Sequence, residues 1–213
     1  MVKIAVIDYG MGNLRSVSKA LEKVSPEAKV MITSDSAAID SADKVVLPGV
    51  GAIKDCLAEI DRLSLREVIL NAAANKPFLG ICLGMQALLN SSEECGGREC
   101  LGVIPGQVVR FGAQLNCDET GEHLKVPHMG WNRVVHAQPH PLWNGIESDS
   151  RFYFVHSYHA QTDSAQHSFG KTTYGIGFSA AIGRENIFAV QFHPEKSQNN
   201  GLQLLENFIN WKI

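Results

Sequence analysis

Cys82 lies between two glycines at the junction of two apolar stretches. Residues 78–81 precede it as a short apolar run that is typical of a buried strand, and a helix-forming segment follows. Gly80-x-Cys82-x-Gly84 is the cysteine form of the nucleophile elbow, a sharp strand-to-helix turn that exposes a nucleophile at the top of a sheet. Glycine permits the close backbone approach, and a helix N-terminus stabilises a thiolate. A buried core thiol is the alternative, but the paired glycines favour a nucleophile.

His193 and Glu195 stand two residues apart after the apolar stretch 187–192. Side chains two apart on an extended chain point to the same side, and Pro194 is expected to keep this segment extended and stiff. A carboxylate beside an imidazole fixes its tautomer and stabilises the imidazolium, as the third member of a catalytic triad does. A chance ion pair at the end of a surface strand is the alternative.

Pro48-Gly49-Val50-Gly51 follows a third apolar stretch, residues 44–47. Two glycines in four residues allow the backbone N–H groups of a loop to point at an anion. If this strand neighbours the strand before Cys82, the loop at Val50 and Gly51 could supply one donor of an oxyanion hole. The N–H of Leu83 would then supply the other. A tight strand-to-helix turn is the simpler alternative. Together the three segments predict a Cys-His-Glu thiol enzyme.

The composition argues against several classes of protein. The chain has 213 residues, a formal net charge of −3 and no basic run, so we expect no nucleic-acid partner. No apolar stretch approaches the ~20 residues that a membrane-spanning helix needs. Residues 1–7 are expected to form a first strand and not a signal peptide. The odd count of five cysteines argues against a disulfide framework. We therefore expect a cytoplasmic protein without membrane contact.

Neither a metal nor a cofactor is expected. Four potential metal ligands lie in the middle of the chain, at Cys95, Cys100, Cys117 and His123. Their spacing matches no common zinc pattern, so ordinary loop thiols are predicted. Gly10 and Gly12 lack the third glycine of the dinucleotide fingerprint, which favours a tight turn over a nucleotide site.

Strands and helices alternate through the first 90 residues, as in a parallel sheet covered on both faces. Strands are predicted at residues 3–7, 28–33, 44–47 and 77–81. Helices are predicted at residues 14–24, 37–42, 56–60 and 65–74, and from the elbow to about residue 90.

The second half is richer in glycine and in β-prone runs. It predicts strands at residues 108–111, 151–158, 169–174, 178–182 and 187–192, followed by a helix at 199–211. No linker or internal repeat divides the chain. We predict one α/β domain over residues 1–213, an open twisted sheet with a parallel core, helices on both faces and antiparallel strands in the second half. The site should lie at the carboxyl ends of the parallel strands.

The ordered set of motifs resembles the class I, or triad, glutamine amidotransferases, and within them the glutaminase subunits of imidazole glycerol phosphate synthases. The elbow and His193-Pro194-Glu195 mark the broad class, and the resemblance covers nearly the whole chain. Met85-Gln86, residues 127–132 and Lys196-Ser197 point to the subfamily. In chain order the motifs are Asp8-Tyr9-Gly10-x-Gly12-Asn13, Pro48-Gly49-Val50-Gly51, Gly80-Ile81-Cys82-Leu83-Gly84-Met85-Gln86, Ser92-Glu93-Glu94, Pro127-His128-Met129-Gly130-Trp131-Asn132, Val155-His156-Ser157-Tyr158 and Gln191-Phe192-His193-Pro194-Glu195-Lys196-Ser197.

The resemblance implies a mechanism. Cys82 attacks the side-chain amide carbon of glutamine, and backbone N–H groups of Leu83 and the Val50-Gly51 loop hold the oxyanion. His193 protonates the departing ammonia and then activates the water that hydrolyses the γ-glutamyl thioester, while Glu195 orients His193. The residues that the resemblance places against the substrate are Gln86, Glu94, Gly51, Ser157 and Tyr158. A polar helix position for Gln86 and a solvated loop carboxylate for Glu94 are the alternatives.

The resemblance also implies a partner. We expect no acceptor-binding domain in this chain, so ammonia would pass to a separate (β/α)8 cyclase subunit in a heterodimer that makes imidazole glycerol phosphate for histidine biosynthesis. The residues in motifs that resemble its docking face are Asn13, Met129, Trp131 and Lys196. Trp and Met are frequent interface anchors, although a buried core tryptophan is the alternative. Because glycines flank Val50, we expect the oxyanion loop to be misaligned until the partner docks.

Residues 95–100 and 159–170 follow no strong motif of the family. They are either loop variation or the mark of a paralogue that feeds ammonia to a different partner. A free-standing γ-glutamyl thiol hydrolase is a further alternative, which would be fully active alone. A non-catalytic regulatory protein is another, which a glutamine-analogue electrophile would fail to label at Cys82.

Overall fold

A computed structural model describes residues 1–117 and 120–213 of the chain. Strands and helices alternate through the first half: β1 (Lys3–Ile7), α1 (Leu14–Val24), β2 (Lys29–Thr33), α2 (Ser36–Asp40), β3 (Lys44–Gly49), α3 (Ile53–Arg62), α4 (Arg66–Asn75), β4 (Phe78–Cys82) and α5 (Leu83–Ala87). The second half contains β5 (Ser91–Ser92), β6 (Arg98–Glu99), β7 (Gly106–Arg110), β8 (His128–His136), β9 (Ser150–His156), β10 (Tyr158–Thr162), β11 (Ser168–Thr173), β12 (Gly177–Arg184), β13 (Ile187–Val190) and α6 (Gln198–Asn210). Within the described residues, no helix combines the length and apolarity that crossing a membrane requires.

The strands form one open sheet with a parallel core. β2, β1, β3, β4 and β13 lie side by side in that order and run parallel. Beyond β13, the strands β12, β10 and β7 continue the sheet in antiparallel pairs. β11 branches from β12 and leads through β8 to β9. The predicted open α/β sheet, with its parallel core and antiparallel second half, is confirmed.

Both faces of β1, β3, β4 and β13 are buried, which explains their almost continuous apolar sequences, whereas the edge strand β2 is partly exposed. In β1, Ala5 and Ile7 belong to one core cluster, and Ile4 and Val6 to the other. Helices α3, α4 and α5 contribute to the first cluster, whereas α1 and α6 contribute to the second. Each large apolar side chain buried in this way stabilises the fold by roughly 1.5–3 kcal/mol. The ends of the strands are therefore the part of the parallel sheet that a ligand can approach.

The helix after Cys82 is shorter than predicted. α5 ends at Ala87, whereas the prediction extended it to about residue 90. The carbonyl groups of residues 87–89 accept hydrogen bonds from the N–H groups of residues 101–104. The next loop thus occupies the acceptors that a further helical turn would need, and the helix stops.

The segment predicted as one strand at residues 151–158 is two strands in different ribbons. β9 pairs with β8, whereas β10 pairs with β7 and β12. The break falls at Ser157, whose carbonyl accepts a hydrogen bond from the N–H of Phe111. The nine-residue strand β8 was not predicted as a strand, although exposed and less exposed positions alternate along it. Its pairing with β9 builds the ribbon that borders the site.

Candidate active site

The elbow places Cys82 at the end of β4 in a strained backbone conformation. Its φ is 54° and its ψ is −110°, and α5 begins at the next residue. A residue with a β-carbon at such positive φ costs about 1–3 kcal/mol, a strain that clusters at functional sites. Gly49, at the end of β3, is the register neighbour of Cys82 in β4. The loop after Gly49 therefore lies beside the cysteine, as predicted.

Gly80 and Gly84 of the elbow, and Gly49 beside it, are required because neighbouring atoms approach too closely for a side chain. A Cβ at Gly84 would lie 1.9 Å from the carbonyl oxygen of Leu47. A Cβ at Gly80 would lie 2.9 Å from the Cβ of Ala189, and one at Gly49 would lie 2.9 Å from the Gly84 nitrogen. These contacts lock the strand-to-helix turn against β3 on one side and β13 on the other.

His193 and Glu195 form a buried pair beside the elbow. His193 Nδ1 lies 2.9 Å from Glu195 Oε1, with the two side chains 4% and 0% exposed. The contact forms through a turn, because Pro194–Lys196 are a 3₁₀ segment. The prediction that Pro194 keeps this stretch extended is therefore wrong. The carbonyl of His193 accepts from the Lys196 N–H and, at 2.6 Å, from Ser197 Oγ, which closes the turn.

The surroundings of His193 favour its charged form. Burial by itself lowers the pKa of this imidazole, but hydrogen bonds to Cys82 and Glu195 and the negative charges of both raise it to about 10. Because Nδ1 donates to Glu195, Nε2 is the ring nitrogen left to exchange a proton with the cysteine. The arrangement can therefore hold an imidazolium next to a sulfur nucleophile.

Asn13 holds the same carboxylate from a second side. Its Nδ2 donates to Glu195 Oε1 at 3.1 Å. Among the described residues, Glu195 Oε2 has no hydrogen-bond partner. Asn13 was expected at a docking face, and the structure puts its amide in contact with the carboxylate that pairs with His193.

A cleft of about 350 Å³ opens beside Cys82, a size that suits a small ligand. The predicted site residues that line it are Val50, Gly51, Cys82, Leu83, Gln86, Glu94, Ser157, Tyr158, His193 and Lys196. Three further lining residues were not singled out for the site from the sequence, namely Pro127, Val155 and His156. Each of them lies inside a motif named in the sequence analysis, so membership of that motif was the only indication that it lines the cleft.

Two of the predicted substrate residues already have partners within the protein. Gln86 Nε2 donates to the Tyr158 carbonyl at 3.0 Å and to Gln191 Oε1 at 2.9 Å. Both amide protons are thus engaged, and the carbonyl oxygen is what Gln86 can offer a ligand. Glu94 Oε2 accepts from the Ile53 N–H at 2.7 Å and so caps the start of α3. Glu94 is therefore a helix cap as well as a cleft residue.

Gln191 contacts the sulfur and was not predicted for the site. Its Nε2 lies 3.7 Å from Cys82 Sγ, and Gln191 is fully buried. On another side, Cys82 Sγ lies 3.9 Å from the Val155 carbonyl oxygen. The available signal in the sequence was a polar amide inside the otherwise apolar stretch 187–192.

Three of the four residues expected at a docking face, Met129, Trp131 and Lys196, form an exposed patch beside the cleft. Met129 is 62% exposed and Trp131 is 44% exposed. Trp131 packs edge-on against Tyr153, with ring centroids 5.9 Å apart, and Lys196 Nζ lies 6.0 Å from the centroid of the same ring. The alternative of a buried core tryptophan at position 131 is wrong.

A pair of buried histidines connects β8 to the wall of the cleft. His128 Nδ1 lies 2.9 Å from His156 Nε2, and His156 Nδ1 donates to the Tyr158 carbonyl at 2.7 Å. Because a carbonyl only accepts, His156 carries its proton on Nδ1, and His128 donates to His156. Burial lowers the pKa of His128 to about 4 and that of His156 to about 3. Both rings are therefore neutral around pH 7.

The thiols outside the elbow are separate from this site. Cys95 is exposed, and Cys56 and Cys100 are buried free thiols. Across residues 1–117 and 120–213, no group of three or more His, Cys, Asp or Glu side chains could hold a metal ion.

Comparisons with known proteins place the fold and the sequence in one family. The family described as "Glutamine amidotransferase class-I" matches residues 5–211. A protein of Nitrosospira multiformis named "Imidazole glycerol phosphate synthase subunit HisH" is 57% identical over 212 residues, covering 100% of this chain and 99% of the relative. A protein of the same name from Pseudomonas syringae pv. syringae is 56% identical, covering 99% of this chain and 98% of the relative.

Solved structures of low identity share the fold. PurLQS from Thermotoga maritima matches with a TM-score of 0.74 at 18% identity, covering 98% of each chain. The crystal structure of a glutamine amidotransferase matches with a TM-score of 0.69 at 15% identity, covering 96% of this chain and 98% of the other. The chain belongs to the class I glutamine amidotransferases, and within them to the HisH subunits of imidazole glycerol phosphate synthase.

Proposed function

We propose that this chain is the glutaminase subunit of an imidazole glycerol phosphate synthase. It hydrolyses glutamine to glutamate and ammonia and delivers the ammonia to a cyclase subunit in histidine biosynthesis. Full-length relatives of 56–57% identity that carry the name of this subunit support the assignment. The observation that carries the chemistry is the buried His193–Glu195 pair, 2.9 Å apart, beside the strained elbow of Cys82.

In the first half of the reaction Cys82 reacts as a thiolate, with the proton of its thiol held on His193. The sulfur then attacks the side-chain amide carbon of glutamine, a C–S bond forms, and the carbonyl electron pair moves onto oxygen. The N–H of Leu83, at the start of α5, and the loop at Val50 and Gly51 stabilise this oxyanion. The left-handed φ of 97° at Gly51 gives this loop a conformation that a side-chain-bearing residue rarely adopts.

In the second half His193 passes its proton to the amide nitrogen, the C–N bond breaks, and ammonia leaves. A water molecule then gives a proton to His193 and attacks the γ-glutamyl thioester. The C–S bond breaks, glutamate is released, and the sulfur of Cys82 is left paired with the proton on His193. Glu195 keeps the imidazole oriented through both transfers. The raised pKa of His193 suits a group that must be protonated when ammonia departs.

The substrate is held by acceptors on one side of the cleft. The carboxylate of Glu94 and the amide oxygen of Gln86 face a ligand that carries an ammonium and an amide group. Gly51, Ser157 and Tyr158 complete the contacts to the bound amino acid. The glutaminase site is thus built from the ends of several strands and the loops that follow them.

The partner is a (β/α)8 cyclase subunit that docks on the exposed patch of Met129, Trp131 and Lys196, forming a heterodimer. Asn13 lies at the edge of this face. Docking aligns the oxyanion loop, so the isolated chain has low basal activity. No metal or cofactor takes part. We assign the protein to the cytoplasm, since its relatives are subunits of a biosynthetic enzyme.

Glutamate release from glutamine tests the proposal, measured without and with the cyclase and its ligand. Activity should rise sharply with the partner and vanish in Cys82→Ala. Trp131→Ala should weaken the binding of the cyclase by about 2 kcal/mol, so the rise in activity with the partner should need more cyclase. Ile32→Ala is the matched control, an exposed residue of β2 at the far edge of the sheet. Equal turnover with and without the partner would contradict the activation, and undiminished turnover in Cys82→Ala would contradict the mechanism.

A further inference from the structure

Gln191 is the one polar side chain in the buried, otherwise apolar stretch 187–192, which leads to the active site. Its residue is fully buried, and its backbone N–H donates to the Ala180 carbonyl at 2.8 Å. It lies two positions before His193, and its side chain reaches towards β4 and α5. Its Nε2 lies 3.7 Å from Cys82 Sγ, within hydrogen-bonding range for the larger sulfur atom. Burying an amide costs free energy unless both its NH2 group and its oxygen form hydrogen bonds, and the contacts of Gln191 provide these bonds.

The orientation of this amide follows from its neighbours. The Tyr158 carbonyl can only accept a hydrogen bond, so the Gln86 atom that contacts it at 3.0 Å is the nitrogen. The same nitrogen contacts Gln191 at 2.9 Å, so the Gln191 atom there is the oxygen. A flipped Gln191 would bring two NH2 groups together. The network therefore directs the NH2 group of Gln191 at the sulfur.

The sulfur of Cys82 has an environment in which this donor matters. The Val155 carbonyl, 3.9 Å from Sγ, suits a neutral thiol that donates its proton and disfavours a negative sulfur. A thiol is a weak acceptor, whereas a thiolate is a strong one. An N–H fixed at the sulfur in a buried site therefore favours the charged form over the neutral form.

We propose that Gln191 is a further catalytic residue: its side-chain amide donates a hydrogen bond to the sulfur of Cys82 and stabilises the thiolate, and Gln86 holds that amide in its donating orientation. The inference rests on the proposed function in that Cys82 is taken as the nucleophile. The proton of the thiol still moves to His193, and Gln191 exchanges no proton. It lowers the free energy of the thiolate that precedes formation of the C–S bond.

This role is separable from substrate binding. Gln191 is fully buried and is not among the described residues that line the cleft, so its effect is expected on the sulfur and not on the bound glutamine. Loss of its amide should therefore lower kcat while KM stays within about twofold. This pattern is expected for an interaction that stabilises the reacting sulfur and does not bind the substrate.

The experiment measures the rate at which iodoacetamide alkylates Cys82 in the full chain between pH 5 and 10, with the Cys82 peptide quantified by mass spectrometry. In Gln191→Leu the midpoint of the rate–pH curve should rise by about one unit, and alkylation near pH 7 should slow about tenfold. Gln191→Glu keeps the size of the side chain and replaces the donor by an oxygen, so it should slow alkylation further. The kcat for glutamine, measured with the cyclase subunit, should fall about tenfold in Gln191→Leu.

Gln138→Leu is the matched control. Gln138 Nε2 lies 2.7–3.1 Å from three carbonyl oxygens, away from the cleft, so its loss should leave the alkylation curve unchanged. An unchanged curve in folded Gln191→Leu would overturn the proposal, and where that variant fails to fold, an unchanged curve in Gln191→Glu would do so. Alkylation needs neither glutamine nor turnover. A shifted curve in Gln191→Leu would therefore leave the thiolate role standing even if the native chain had no glutaminase activity with its partner. That lack of activity would overturn the proposed function.

Discussion

His193 is held as an imidazolium by two neighbours with different tasks. Cys82 exchanges a proton with it, and the buried carboxylate of Glu195 fixes its orientation at 2.9 Å. Burial opposes the charge, and the two partners outweigh burial, so that the pKa is about 10. The protonation of His193 is therefore a property of the site that can be measured through its dependence on pH.

Replacing the carboxylate should change how stability depends on alkaline pH. The folded-state pKa of about 10 lies above the ordinary 6.5, so the charge on His193 contributes fully below pH 6.5, and its contribution is lost as pH rises through 10. In Glu195→Gln the pKa of His193 falls, so this pH-dependent loss becomes smaller and ends at lower pH. Urea unfolding between pH 6 and 10 measures it. We also expect kcat to fall at least about a hundredfold.

Glu147→Gln is the control for this variant, since Glu147 is an exposed carboxylate. Its unfolding curves should follow those of the native chain at each pH. If Glu195→Gln also followed the native chain, the charge of Glu195 would have no part in holding the imidazolium.

Sequence predicted the residues whose type and local spacing carry the chemistry. Cys82 stands between its glycines, and Glu195 stands two positions after His193, so both patterns are visible in a few letters. The polar amide of Gln191 stands out in an apolar stretch, but its role could not be predicted, because that role depends on Gln86, 105 positions away. The contact of Asn13 with Glu195 spans 182 positions and was equally invisible. Such contacts follow from strand order, which local patterns do not encode.

The N-cap residue of α1 serves a purpose other than capping the helix. Asn13 occupies the N-cap position, but its side chain makes no hydrogen bond to the first turn. Asparagine at this position ordinarily accepts from a helical N–H group. Here its amide donates to Glu195 instead, so the helix leaves its first turn uncapped in order to hold the carboxylate.

Asn13→Ser should therefore separate helix stability from activity. Serine is a good N-cap, so the free energy of unfolding should stay constant or rise by up to about 1 kcal/mol. Because the carboxylate loses a donor, kcat should fall about threefold to tenfold. Asp35→Ser is the control, since Asp35 caps α2 through the Ala38 N–H at 3.1 Å. Kinetics at saturating cyclase would contradict the positioning role if kcat were normal and only partner affinity had changed.

Elements with a strong internal pattern were predicted, and those decided by tertiary competition were not. The inner parallel strands β1, β3, β4 and β13 are buried on both faces and consist of apolar runs, so their predicted positions agree with the structure within a few residues. α5 ended early because the loop at residues 101–104 takes its carbonyl groups. The break at Ser157 separates two strands that pair with different neighbours, which a continuous β-prone run conceals.

Across the whole molecule, one two-stranded ribbon joins the docking patch to the cleft. In the pairing of β8 with β9, Met129 is opposite Val155, and Trp131 is opposite Tyr153. Val155 lines the cleft and its carbonyl lies 3.9 Å from Cys82 Sγ. A partner that displaces β8 would therefore also move the neighbouring strand β9, which forms part of the wall of the active site.

The neutral pair of His128 and His156 within this ribbon makes the molecule vulnerable to acid. Their pKa values of about 4 and 3 lie below the ordinary 6.5, so their contribution to stability is present above pH 6.5 and is lost as pH falls through 4 and 3. Unfolding in mild acid should therefore take up protons, and His128→Gln should reduce this uptake. His123→Gln, at an exposed position, should not. A cyclase bound to the ribbon would protect it by mass action, so the assembled enzyme should tolerate acid better than its free glutaminase.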